Sequence, residues 1–330
     1  MKNNYNLLVF FLTNALFLGG GISIIFSYTE KDSYIAFFLG TMIGIIILYI
    51  INKINHSNLS TNILFKTLYL LFLLFIITIL LISLSTFLYS FFLPFTPVLI
   101  SCAPLVLIAC LFNSKSITKI LYVAIPLFIF SIALILTKSI LLIKEVDFNN
   151  IAPIFTVKYS NFIKGIITYA VLATTPNLLL INEETSFKIS LKYYLIASSL
   201  LFIFILLINL VLGNLSIIFS YPEYAVLRRI KVLDFIENIE NFVSITWIFD
   251  IFITLSLASL KLKQTLNTNN KYISAIIALI ILVIIYQNVS SNLNTLIIIY
   301  KLFPFIAFIF LITFTAIYLI NTKKHEKSAK

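Results

Sequence analysis

Ten long apolar runs follow one another along this chain, and most reach the ~20 residues that an α-helix needs to cross a hydrocarbon core. They fall at about 6–28, 34–52, 63–91, 95–112, 120–143, 162–181, 193–219, 241–260, 272–289 and 296–320. With 61% hydrophobic residues among 330 and a mean hydropathy of +1.09, such a chain has far more apolar surface than a water-soluble core could bury. Alternating strand-length segments of a barrel are absent, so the class is an all-α polytopic membrane protein. The whole chain, 1–330, reads as one transmembrane domain ending in a tail at 321–330. The opening MKNNYN holds one lysine, and the run after it lacks a small-residue cleavage pattern, so the first span is expected to be retained.

Orientation follows from the basic residues. Fourteen lie on the side of the termini and of connections 2–3, 4–5, 6–7 and 8–9: Lys2, Lys53, Lys66, Lys115, Lys119, Lys188, Lys192, Lys261, Lys263, Lys271, Lys323, Lys324, Lys327 and Lys330. Nine lie on the other side, which also holds eight of the twelve acids. The bias places both termini in the cytoplasm. The net charge of +11 is thereby topology plus attraction to anionic lipid heads, and its scatter over short loops excludes a nucleic-acid patch. Cys102 and Cys110, eight apart in one apolar run, offer neither a disulfide framework nor metal spacing. His56 and His325 accompany no metal, nucleophile or phosphate motif, so the chain is not read as an enzyme and no cofactor is expected.

Within the first run, LFLGGGISII sets three glycines in succession. Each costs about 1 kcal/mol relative to alanine in a helix interior, so a break is permitted there. The sixth run carries a second break at a matching depth, ATTPN (Ala173–Asn177), where Pro176 removes an amide donor. In a bilayer such breaks are tolerated only where freed backbone groups meet protein, water or ligand. Two interrupted helices, each first in a set of five, are the pattern of a five-plus-five inverted repeat with its binding site between the breaks. The repeats would be about 6–143 and 162–320. Amides at Gly20, Gly21, Ile22 and Ser23, after Gly19, can hold a carboxylate. Carbonyls at Phe17 and Leu18, with Ala173, Thr174, Thr175 and Asn177 opposite, can receive an ammonium or a cation. An amino acid carries both groups. The alternative is that Gly19–Gly21 serve close packing, as Gly40 and Gly44 in GTMIG are expected to.

Asp250 lies in the middle of the eighth run, where an aspartate costs ~2.5–3.5 kcal/mol on insertion scales. Thr246 and Thr254, four residues to either side, share its face. The three are a candidate for proton or sodium coupling; the alternative is a hydrogen-bonded structural aspartate. Lys138 and Lys301, nearer the ends of their runs, are expected to snorkel toward the interface. Two connections stand out. KEVDFNNIAPIFTVKYSN suits a segment against the membrane surface or the helix ends. In YPEYAVLRRIKVLDFIENIENF, Val226, Ile230, Leu233 and Phe235 or Ile236 fall at helical spacing, with Asp234, Glu237 and Glu240 on another face. That pattern reads as an interfacial amphipathic helix or, alternatively, a lid or partner surface.

Three stretches, LGGGIS, VDFNNIAPIF and YPEYAVLRRIKVLDFIENIENFVSITWIFDIF, resemble the spore-germination permease family, the multi-span B subunits of germinant receptors within the amino acid/polyamine/organocation superfamily. The most specific piece is Tyr221, Pro222, Arg228, Arg229, Phe235, Ile236, Glu237 and Trp247 in that order and spacing. The resemblance implies a ten-span inverted-repeat fold, recognition of an amino acid or similar small germinant, and assembly with a soluble-domain A subunit and a lipoprotein C subunit in a cell membrane or inner spore membrane. Family members often place a proline after the first-span glycines and a Gly-hydrophobic-Glu element in the sixth span. This chain has Ile25-Phe26 and Thr174-Thr175-Pro176 there, keeping the break without the carboxylate. Besides a receptor subunit, a proton- or sodium-coupled amino-acid transporter and a ligand-free scaffold remain open, although a scaffold would need neither broken helix.

Overall fold

The computed structural model describes residues 4–55, 63–93, 95–112, 117–181, 189–230, 240–268, 270, 272–288 and 293–328, and every regular element among them is helical. Span 1 is split: α1 (Leu8–Asn14) gives way to a wide turn, Phe17–Gly21, and then to α2 (Ile22–Thr29). Spans 2 to 5 are α3 (Ser33–Asn55), α4 (Ile63–Phe91), α5 (Val98–Leu111) and α6 (Ile117–Leu142). Span 6 is α7 (Tyr159–Thr174) prolonged by a 3-10 turn, Thr175–Leu180. Span 7 is α8 (Leu191–Leu212), and the short α9 (Pro222–Ala225) lies in the connection after it. Spans 8 to 10 are α10 (Asn241–Thr265), α11 (Ile273–Asn288) and α12 (Leu293–Ser328).

Seven stretches of described helix are long and apolar enough to cross a membrane: Ile22–Lys53, Ile63–Phe91, Ile117–Glu145, Tyr159–Leu180, Leu191–Ile217, Asn241–Thr265 and Ile297–Ile317. The shorter α5 and α11, together with the interrupted first span, complete the ten expected runs. Two limits differ from expectation. The seventh helix stops at Leu212 because Gly213, at φ 53, turns the chain into a 3-10 turn. The last helix continues through the polar tail to Ser328.

Many hydroxyls inside the long helices are satisfied by their own backbone, as an apolar surround favours. In α4, Thr78, Ser83, Thr86 and Ser90 each donate to the carbonyl four residues earlier, at 2.7–2.9 Å. The close packing expected of GTMIG joins α3 to α7 and α8: a Cβ at Gly40 would lie 2.5 Å from Tyr169 Cδ1 of α7, and one at Gly44 would strike the Tyr194 hydroxyl of α8.

The packing partners recur when each span number is shifted by five. Span 5 packs on span 8 and span 10 on span 3; span 4 packs on 8 and 9 on 3; span 2 packs on 6 and 7 on 1. Two five-span halves related by exchange produce this pattern, and an odd number of spans gives the halves opposite directions through the bundle.

The face opposite the termini, here the distal face, is knitted by its connections. Glu30, at φ 48, ends α2 and starts the reversal into α3. Lys31 Nζ donates to the Ala152 carbonyl at 2.8 Å, and Asp32 Oδ1 accepts from the Phe155 amide at 2.9 Å. Asn150 Nδ2 donates to the Leu210 carbonyl at 2.8 Å, and Asn209 Nδ2 to Ser33 Oγ at 2.6 Å. The connection between spans 5 and 6 therefore lies over the ends of spans 1, 2 and 7.

In the connection between spans 7 and 8, the described part of the expected amphipathic helix is one α turn (Pro222–Ala225) and one 3-10 turn (Leu227–Arg229), and Tyr221, Glu223, Tyr224, Val226 and Leu227 are all buried. Pro222 starts a turn that tucks inward between spans instead of lying on an interface. Burial pushes the Tyr221 hydroxyl up to about 12. Leu233, Asp234, Phe235, Ile236 and Glu237 lie outside the described residues. Glu240 is buried and pairs with Arg228 Nε at 3.5 Å.

Candidate functional site

The glycine run does break the first span, by a route the residues dictate. Gly20 stands at φ 139, a conformation that side-chain-bearing residues rarely adopt. A Cβ on Gly21 would strike the Leu16 carbonyl oxygen, so backbone packs directly on backbone there. The Ile22 amide donates to the Phe17 carbonyl five residues back, closing a single π-type turn. This narrows the expected ligand site. The Ile22 amide and the Phe17 carbonyl satisfy each other, because the helix widens by one residue and does not unwind fully. Gly19, Gly20 and Gly21 sit in the turn, while Ile22 and Ser23 open α2, Ile22 buried and Ser23 half-buried.

The second break ends α7, the helix on which the glycine turn packs. Ala173 and Thr174 end α7; Thr175 and Asn177 lie in the 3-10 turn that Pro176 opens, and all four are buried. The hydroxyls of Thr174 and Thr175 donate to the carbonyls of Ala170 and Val171 at 2.7 and 2.6 Å. Asn177 Nδ2 donates to the Ala173 carbonyl at 3.0 Å, so that carbonyl, expected to receive an ammonium, is already occupied. The acceptor on offer is instead Asn177 Oδ1, fully buried and without a hydrogen-bond partner. An orphaned amide oxygen of this kind is costly to bury.

The turn Phe17–Gly21 packs on spans 3, 6, 8 and 10, and the 3-10 turn packs on spans 1 and 8, so each break lies against the span that carries the other. Leu172 Cδ1 approaches within 3.4 Å of where a Gly21 Cβ would sit. On the other flank Tyr169 lies between Phe17 and Phe37, with ring centroids 4.9 and 3.8 Å away, and its hydroxyl donates to Ser198 Oγ at 3.0 Å. Ser83 and Tyr300 share a 2.6 Å hydrogen bond that ties span 3 to span 10.

Asp250, tenth in α10, is buried and one carboxylate oxygen lacks a hydrogen-bond partner. Thr246 and Thr254 flank it as expected, but their hydroxyls bond backbone, Thr246 to Val243 O at 2.9 Å and Thr254 to Asp250 O at 2.7 Å. Only Thr246 joins Asp250 around a small cavity of about 10 Å³, the scale of one water molecule.

Two further side chains at this cavity escaped the sequence reading. Asn14, the last residue of α1, brings a buried amide oxygen that has no partner. Lys138 does not snorkel: it is 2% exposed, its Nζ lies 3.9 Å from the Phe204 ring centroid, and it is within electrostatic reach of both Asp250 and Glu223. The signal was periodicity, since Ser131, Ile135, Lys138 and Leu142 form one buried stripe of α6. Lys301, in contrast, is exposed. Beside the broken helices, a buried lysine and a buried aspartate thus share one cavity with Asn14 of α1.

A family model described as spore germination protein matches residues 6–292. No match was found among curated proteins. The matched region takes in both breaks, Lys138, Glu223 and Asp250, and covers most of the 330 residues: the chain belongs to the spore germination protein family.

Proposed function

We propose that this chain is the membrane-embedded recognition subunit of a spore germinant receptor and binds an amino acid between the breaks in spans 1 and 6. The observation that carries this reading is a glycine turn held at φ 139 that packs on span 6, whose own break buries the unpartnered amide oxygen of Asn177. The oxygen accepts from a ligand ammonium, while the glycine turn and the start of α2 offer amides and a helix N-terminus to its carboxylate. An A subunit and a lipoprotein C subunit belong to the same proposal. Equilibrium binding of an amino-acid panel to the purified chain tests it, and saturable binding of at least one member is expected.

The termini are proposed to face the cytoplasm. Cysteines at Ser57, Asn113 and Lys327 should resist an impermeant thiol reagent outside intact cells. Phe148, 77% exposed on the distal face, is the position whose cysteine should react. Tyr224 would be a poor reporter because it is buried whichever way the chain is inserted. Reaction at the first three with protection at 148 would reverse the topology.

A second reading, a proton-linked amino-acid transporter, is favoured by Lys138 beside Asp250, since a tethered ammonium repels sodium from that carboxylate. Asp250→Asn should express normally and remove the pH dependence of the ligand response. Unchanged dependence with normal affinity would make Asp250 structural. Uptake of the bound amino acid into proteoliposomes separates transport from sensing.

A further inference from the structure

Lys261 counts in the sequence among the basic residues that follow span 8, yet α10 continues past it to Thr265 and leaves it 4% exposed. Its ammonium is in use. Nζ donates to the Ile181 carbonyl at 2.7 Å, reaching from span 8 to the end of span 6. Ile181 is where the 3-10 turn of the second break gives out, its ψ of 114 taking the chain out of helix. The last carbonyls of a helical stretch have no partner within it and carry partial negative charge, so an ammonium placed there makes a charge-assisted bond.

A second tie lies one turn back. The Leu178 carbonyl accepts from the Ile181 amide at 3.2 Å and from the Tyr69 hydroxyl of α4 at 3.3 Å. The Tyr69 ring stacks on Phe65 and Phe72 of its own helix, with centroids 5.9 and 6.1 Å away, which limits where the hydroxyl can point. The turn Thr175–Leu180 needs such ties. It runs for six residues, longer than 3-10 geometry usually sustains, and Pro176 brings no amide to it. The turn packs on α10, its residues Leu178, Leu179 and Leu180 are buried, and Asn177 with its unpartnered oxygen directly precedes the tied carbonyl of Leu178.

We infer that Lys261 is a positioning residue for the second break: through Ile181, and with Tyr69 at Leu178, it clamps the turn Thr175–Leu180 to spans 8 and 3 and so fixes the place of the Asn177 oxygen. Spans 8 and 3 carry no break themselves, so the clamp holds the interrupted helix on continuous ones. Without the ammonium the turn opens locally while the bundle around it stays folded. The clamp stands without amino-acid recognition; its effect on ligand affinity rests on that reading.

The test uses the full chain in nanodiscs with Cys102 and Cys110 replaced by alanine and one reporter at a time: Leu180→Cys in the turn, 2% exposed, or Ala278→Cys in span 9, fully buried. Labelling by a polar maleimide is measured without ligand. Lys261→Met, which keeps an unbranched apolar stem and removes the ammonium, should label about tenfold faster at Leu180→Cys, the scale of one hydrogen bond to a charged group, and no faster at Ala278→Cys. Lys261→Arg keeps a cationic donor and should return the rate most of the way to that of the parent. A lysine that merely stabilises the bundle would raise both reporters together, and that result, like an unchanged rate at Leu180→Cys, overturns the inference. Where Lys261→Met yields too little folded protein, Tyr69→Phe decides: faster labelling at Leu180→Cys alone supports the clamp, and no change overturns it. Amino-acid affinity in the folded fraction should fall in Lys261→Met and recover in Lys261→Arg, and unchanged affinity beside faster labelling overturns the positioning role. A parent chain that binds no amino acid sinks the recognition reading, while the labelling still decides the clamp.

Discussion

Replacing Gly20 by leucine should lower amino-acid affinity at least tenfold in a protein that still inserts. At φ 139 a side-chain-bearing residue costs of order 1–3 kcal/mol, and 1.4 kcal/mol is already a factor of ten. The chain relieves that strain by pulling the turn back toward regular helix, which leucine also favours over glycine by roughly 1 kcal/mol. The backbone groups of the turn then no longer keep the arrangement proposed to hold a ligand. Insertion survives because leucine is the more apolar residue. Gly165→Leu is the packing control: its Cβ would strike the Thr29 side chain. It should lower folded yield while leaving affinity in the folded fraction unchanged. Gly44 is a worse control than its place in GTMIG implies, since a side chain there would press on Tyr194 and approach Thr174, a residue of the second break.

Lys138→Met should have the largest effect on stability. It leaves the Asp250 carboxylate buried without its cation, and breaking a buried pair by removing one partner costs about 3–5 kcal/mol. Folded yield and thermal midpoint in detergent should both fall sharply. Adding Asp250→Asn should restore most of the loss, because the orphaned charge is then gone and an amide can still bond around the cavity. A double variant as unstable as Lys138→Met alone would mean that the lysine stabilises the bundle through its packing on Phe204.

The spans were legible because lipid imposes a single demand, a run of apolar residues long enough to cross, and each of the ten runs is a helix. The first break was legible too, since three successive glycines have few other uses in such a helix, whereas the proline of the second is a weaker signal: Pro104, Pro126 and Pro304 lie inside continuous helices. What the sequence does not encode locally is which backbone groups a break leaves open. The Ile22 amide and the Phe17 carbonyl close on each other, and Asn177 caps Ala173 while freeing its own oxygen. Lys138 was misread because distance from a span end says nothing about the direction in which the side chain points. Only the packing of span 5 on span 8 turns it inward. Glu223 was hidden for the same reason: its connection has the spacing of an interfacial helix, but its aromatic residues have partners on span 3 that draw it into the bundle.

The central claim, recognition at the paired breaks, is tested most directly by equilibrium binding of labelled amino acids to the purified wild-type chain and to Asn177→Leu, with folded fractions matched. Leucine keeps the branching at Cγ and removes the buried amide oxygen that has no partner. The account predicts saturable binding of at least one amino acid by the wild type, and a loss of at least tenfold in the variant, as expected when a charged group loses its hydrogen-bond partner. Equal affinity in the two proteins would contradict it.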